Sequence, residues 1–129
     1  MKKILLLISI LFTLNLHAEL PPYIYENLQK NSPEALTISV SKVETSLISM
    51  SEKSVTIIAK IIRVKRSKSK LKRGDTITIV YNTIFWKPRG WVGPSSLPVL
   101  EEKQTYKAFL KKGKNNNYYY PAARGKSFK

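Results

Sequence analysis

Five short segments of alternating apolar and polar residues, no long stretch of helical periodicity, and glycine, proline and aspartate punctuation between the segments predict an all-β chain. Strands at this spacing in one short domain predict a closed or nearly closed barrel. A β-sandwich of similar strands is the alternative.

The first strand begins at Leu36, where Leu36, Ile38 and Val40 alternate with Thr37, Ser39 and Ser41. At Val43 the apolar phase slips by one residue, which predicts a bulge or bend. The second and longest strand covers residues 54–66. Val55, Ile57, Ala59 and Ile61 share one face, and Ile58, Ile62 and Val64 the other. Two apolar faces predict a curved strand that serves both sides of a small barrel. Gly74-Asp75 then marks a turn, and Ile77, Ile79 and Tyr81 resume the alternation. A fourth strand over 104–111 carries Tyr106, Ala108, Phe109 and Leu110, and a short fifth strand covers 117–120. Residues 19–35, with Pro21, Pro22 and Pro33, predict an extended N-terminal arm with one helical turn near 25–30. Residues 36–129 then form a single domain with a C-terminal tail.

Ahead of the arm, Met1-Lys2-Lys3 precedes an apolar run of 13 residues, Ile4 to Leu16, and then His17-Ala18. This is the layout of a bacterial signal peptide spanning residues 1–18, cleaved after Ala18. The run is short against the about 20 residues a membrane helix needs. An uncleaved anchor is the alternative, since Leu16 is large for the third position before the cut. A second apolar run of spanning length is absent from the remaining sequence. The expected location is the periplasm or the medium.

The whole chain has formal charge +15, and loss of Lys2 and Lys3 leaves +13. Loss of His17 leaves no histidine, and there is no cysteine. Small exported domains often rely on disulfides; this one relies on packing. Lysine outnumbers arginine 18 to 5, as in chains encoded by AT-rich genomes, so part of the charge reflects composition. A charge of this size on a small body still attracts anionic polymers and surfaces.

Leu71-Lys72-Arg73-Gly74-Asp75-Thr76-Ile77 leads into a middle strand with the pattern L-x-x-G-D-x-I. Tyr106-Lys107-Ala108-Phe109-Leu110 follows with the pattern Y-x-x-F-L. Together with the curved segment around residues 55–64, these motifs resemble the OB-fold domains of the netrin and metalloproteinase-inhibitor (TIMP-like) type, over residues 36–110. The resemblance implies a five-stranded OB-like barrel. Inhibitors of that type chelate the protease zinc through an N-terminal cysteine held by disulfides. Here the exported start is Glu19-Leu20-Pro21 and cysteine is absent. No functional residue carries over, and a shared fold does not assign an activity.

Without histidine or cysteine after processing, Ser-His-Asp and Cys-His mechanisms and transition-metal sites are excluded for the exported chain. Asp75 is the one aspartate and reads as a turn residue. Glu101-Glu102 is the one adjacent carboxylate pair, with its side chains on opposite faces if extended. No phosphate-binding or dinucleotide glycine pattern is present. The expectation is a binding protein with no catalytic residues, cofactor or metal; a hydrolase built from distant glutamates is the remaining enzymatic alternative.

Two segments are candidates for binding. Arg63, Lys65, Arg66, Lys68, Lys70, Lys72 and Arg73 place seven cations in eleven residues with no acid. They predict a solvated hairpin tip, read either as a site for an anionic glycan or lipid surface or as a solubilising loop. Export argues against nucleic acid as the ligand, although basic and aromatic residues on an OB-like barrel suit single strands. The second segment, residues 85–94, sets Trp86 and Trp91 in a loop that Pro88, Gly90, Gly93 and Pro94 turn repeatedly. Either the loop plugs one barrel end, with Trp86 buried and Trp91 partly out, or Trp91 and Arg89 form an interface hot spot. The whole reading is an exported accessory protein of the cell envelope that binds an envelope protein or an anionic surface. An exported inhibitor or interaction module working through the Trp loop and the arm is the alternative.

Overall fold

The computed structural model describes residues 20–87, 89–90 and 96–129. The chain runs as helix α1 (Pro22–Lys30), strands β1 (Glu34–Leu47), β2 (Glu52–Ser67), β3 (Thr76–Ile84), β4 (Thr105–Lys112) and β5 (Tyr118–Pro121), and a 3-10 turn at Arg124–Lys126. The strands close into a barrel in the order β1-β2-β3-β5-β4. Every pair is antiparallel except β3 with β5. This is the all-β, OB-like barrel the alternation predicts, and closure leaves few free sheet edges.

All five predicted strands form within a few residues of their predicted bounds. β1 can pair with β2 over its length and with β4 over residues 34–39 because it bends. Register shifts fall between Ala35 and Leu36, Thr37 and Ile38, and Val40 and Lys42. The last lies beside the phase slip seen at Val43.

The core is made by one face of each strand. Ile38, Val40, Val55, Ile57, Ile61, Ile79 and Leu110 are fully enclosed, with Ala59, Ala108 and Tyr119 among them. β2 departs from expectation here. Its Val55 face enters the core and Val64 of the second face packs against it, while Ile58 is half-buried and Ile62 is exposed. A five-stranded barrel has room inside for one row of side chains per strand, and its outer wall is only partly covered.

The arm, expected to be extended with one helical turn near 25–30, is helical from Pro22 to Lys30, so the turn is present and starts earlier than expected. Pro22 occupies the first helical positions, where its fixed φ favours the turn and its missing N–H costs nothing. Tyr25 and Gln29, four residues apart, form the buried face. Ser32 ends the helix, its hydroxyl donating to the Gln29 carbonyl at 2.8 Å.

The C-terminal tail continues the line of β5 along the free edge of β4. Phe109 N–H donates to the Ser127 carbonyl at 2.8 Å, and Lys107 and Lys129 exchange two backbone bonds at 3.0 and 2.9 Å. Phe128 thereby reaches the core, its ring centroid 5.7 Å from that of Tyr81. Gln29 Nε2 donates to the Lys126 carbonyl at 2.8 Å and ties the helix to the tail.

Candidate functional site

The run of residues 63–73 is not a free hairpin tip. Its first five residues belong to β2, and the turn that follows is pinned from within. Glu34, fully buried at the start of β1, accepts the Lys68 N–H at 2.9 Å, the Ser69 N–H at 3.0 Å and the Ser67 hydroxyl at 2.7 Å. The Ser69 hydroxyl also donates to it and meets the Tyr119 hydroxyl at 2.8 Å. Leu71 packs against the core, its N–H donating to Ser67 Oγ at 2.9 Å. Asp75 acts as a turn residue, accepting the Lys72 N–H at 2.8 Å beside Gly74 at φ 95°. Repulsion among the cations is thus outweighed by one carboxylate offering its lone pairs to four donors.

This anchoring sends the seven basic residues to different faces. Arg63 and Lys65 alternate onto the outer wall of β2. The register shift opposite Ala35 and Leu36 then turns Arg66 toward the helix end. There Arg66 Nε donates to the Ser32 carbonyl at 2.8 Å, and Nη2 to the Gln29 carbonyl at 2.9 Å and Ser32 Oγ at 3.1 Å. Arg66 therefore caps α1, and its charge serves the last carbonyls of the helix. Lys68 extends beside Lys111 and Lys112. Lys70 lies near Asp75 and Tyr118, and Lys72 and Arg73 lie beside Ile62.

A groove of about 630 Å³ lies between α1 and the outer wall of β1, β2 and β4. Ala35, Leu36, Val64 and Phe109 supply its apolar lining. Lys30, Arg63, Lys65, Lys107 and Lys129 supply its charge beside Arg66, which is engaged with α1, and Glu26 is the one acid of the lining. Lys129 Nζ stands 5.9 Å from the Phe109 ring centroid. None of these five cations forms an ion pair with a described residue; Lys42–Glu44, at 2.8 Å, lies elsewhere. Lys30, Lys107 and Lys129 are isolated in the sequence, so local charge density gave no sign of them. The lining of a low-dielectric wall by like charges favours an anion.

The Trp loop departs from expectation as well. Trp86 is 59% exposed and plugs nothing. Inward positions on β3 are odd-numbered, from Ile77 to Thr83, so Trp86 falls on the outer parity beyond the last paired rung, Ile84 with Glu52. The barrel end is covered by Leu100, buried in the core cluster, and by Leu97 packed against it. Tyr81 donates to the Pro98 carbonyl at 2.6 Å and Thr83 donates to the Leu97 carbonyl, which holds this returning segment down. Arg89 is exposed in a turn with Gly90 at φ 81°. Trp91 lies outside the described residues.

No group of three or more His, Cys, Asp or Glu side chains able to hold a metal occurs among the described residues. Glu102 Oε1 accepts the Val43 N–H at 3.1 Å, and the backbone N–H of Glu101 donates to the Tyr106 hydroxyl at 3.0 Å. No helix among the described residues is long and apolar enough to cross a membrane.

Fold and groove together define a small, strongly basic OB-like barrel with an amphiphilic, cation-lined groove on its outer wall. No protein-family model and no curated protein matches the chain.

Proposed function

We propose that this chain is an exported, non-catalytic binding protein of the bacterial cell envelope whose groove takes a ligand bearing phosphate or carboxylate groups. The observation that carries this reading is the convergence of Lys30, Arg63, Lys65, Lys107 and Lys129, from four separate parts of the chain, on one apolar-lined groove with a single acid. A solubilising function would not need cations gathered over apolar surface. The TIMP-like resemblance supports the fold of this binding module; inhibition gains nothing from it, since the N-terminal segment is folded as α1 against the tail.

Three charge-matched variants, each with four cations changed to Gln, test the site by retention on a heparin column. Lys30, Arg63, Lys65 and Lys107 form the groove set. Lys68, Lys70, Lys72 and Arg73 form the loop set, and Lys42, Lys60, Lys103 and Lys114 the control. The groove set is expected to elute at clearly lower salt than the other two, because clustered cations release more counterions together. Equal retention of all three would reduce the interaction to net charge and sink the proposal. A loop set weaker than the groove set would move the site to the turn. Export is tested by intact mass: the recovered chain is expected to begin at Glu19, and full-length protein in the membrane fraction would indicate an anchor.

A further inference from the structure

Opposite in character to the groove is the tip of the β1–β2 hairpin. Leu47, Ile48 and Met50 on the hairpin, with Phe85 and Trp86 at the end of β3, are between 47% and 94% exposed. They include five of the nine large apolar side chains exposed among the described residues, and the other four are scattered over the barrel. Ser51 stitches the two segments into one promontory, its carbonyl accepting the Phe85 N–H at 3.0 Å and the Trp86 N–H at 3.5 Å. Within the hairpin, Ile48 and Ser49 N–H donate to the Glu52 carbonyl at 2.9 and 3.1 Å. The apolar side chains are therefore held out by backbone bonds.

An exposed apolar patch of this kind marks a contact with a protein or a membrane. Charge selects between the candidate occupants. Residues 45–51 and 84–90 contain no acid, Glu44 and Glu52 bounding the hairpin on either side, while Lys87 and Arg89 lie one and three residues after Trp86. Lys53 Nζ stands 5.2 Å from the Phe85 ring centroid, at the base of the tip. A second copy would bring the same cations, on a body of formal charge +13, against each other. An anionic lipid surface attracts them. The shape agrees: a projecting tip offers no broad complementary face, whereas a bilayer closes around any convex apolar group. Trp and Lys also suit the boundary between headgroup and acyl chain, where a ring is half wetted and an ammonium can reach outward.

We propose that this promontory docks on an anionic lipid surface, with Leu47, Met50 and Trp86 entering the headgroup–acyl boundary and Lys53 at headgroup level. The site is separate from the groove and does not depend on it.

The test uses the chain from Glu19, which holds the whole barrel, with Trp91→Phe so that Trp86 is the single indole. Vesicles of phosphatidylglycerol and phosphatidylethanolamine are the probe. Trp86 emission is expected to shift to shorter wavelength on binding and to be quenched by brominated acyl chains. Leu47→Ser with Met50→Ser, which keeps the charge, is expected to lower partitioning at least about tenfold. Both residues are exposed, so an unchanged melting curve checks the fold. The groove variant is expected to keep the Trp86 shift in its bound fraction, which separates this proposal from the groove reading. Vesicle-bound protein with unshifted Trp86, or equal partitioning of the apolar variant, would overturn it. So would a dimer in sedimentation that the same two substitutions abolish, since the tip would then belong to a second copy.

Discussion

Glu34 and Ser69 are joined twice, the carboxylate accepting both the backbone N–H, at 3.0 Å, and the hydroxyl of the serine. The pair holds the most cationic turn of the chain against the barrel wall without any cation touching the carboxylate. Glu34→Ala leaves two hydroxyls and two backbone N–H groups without their acceptor. Each such loss in a buried setting costs about 1–3 kcal/mol, discounted here because Lys68 is exposed to water. The expected destabilisation is about 2–4 kcal/mol in denaturant titration. Amide exchange at Lys68 and Ser69 is expected to accelerate more than in the strands.

Arg66 gives a second prediction, because a planar fork reaching two carbonyls and a hydroxyl is not replaced by an ammonium. Arg66→Lys is expected to cost about 1.5–3 kcal/mol, the range for hydrogen bonds to a charged donor. Limited proteolysis should find the helix first. Heparin retention, in contrast, should be unchanged, since lysine keeps the charge and Arg66 is engaged with α1.

Trp86 and Leu100 exchange the weights a sequence reader would give them. Leu100→Ala opens a cavity under the barrel end and is expected to cost about 2–5 kcal/mol. Trp86→Ala removes an exposed side chain and is expected to stay within about 0.5 kcal/mol. Urea titration of the two single mutants provides the comparison, and a severe loss from Trp86→Ala would restore the plug.

Burial pushes the Tyr81 hydroxyl well above its ordinary pKa of 10.0. The folded state therefore keeps this proton at pH values where the unfolded chain has released it. Its contribution to stability is complete below about pH 10 and is lost as pH rises toward the folded value. Tyr81→Phe, which also forgoes the bond to the Pro98 carbonyl, is expected to be less stable at neutral pH. Its stability should fall less steeply than that of the parent above pH ~10, measured as the difference between the two urea midpoints.

The strands and their inward rows were legible in the amino-acid order, because alternation is a local property of extended backbone. Ile77, Ile79 and Tyr81 face inward wherever the strand lies, and Asp75 turns the chain with its own side chain. The absence of cysteine and of any histidine beyond His17 likewise bounded the chemistry before any fold was known. Pairing across the chain was not legible. Arg66 looks like its neighbours Arg63 and Lys65 until a register shift opposite Ala35 and Leu36 turns it toward the helix. Lys30, Lys107 and Lys129 share a groove only because closure brings β1, β2 and β4 beside α1 and the tail. Glu34 is one glutamate among several until β1 sets it under the turn at Ser69. Local chemistry chose the elements; register and closure, which depend on residues far apart, decided which charges are engaged in the fold and which stay exposed to solvent.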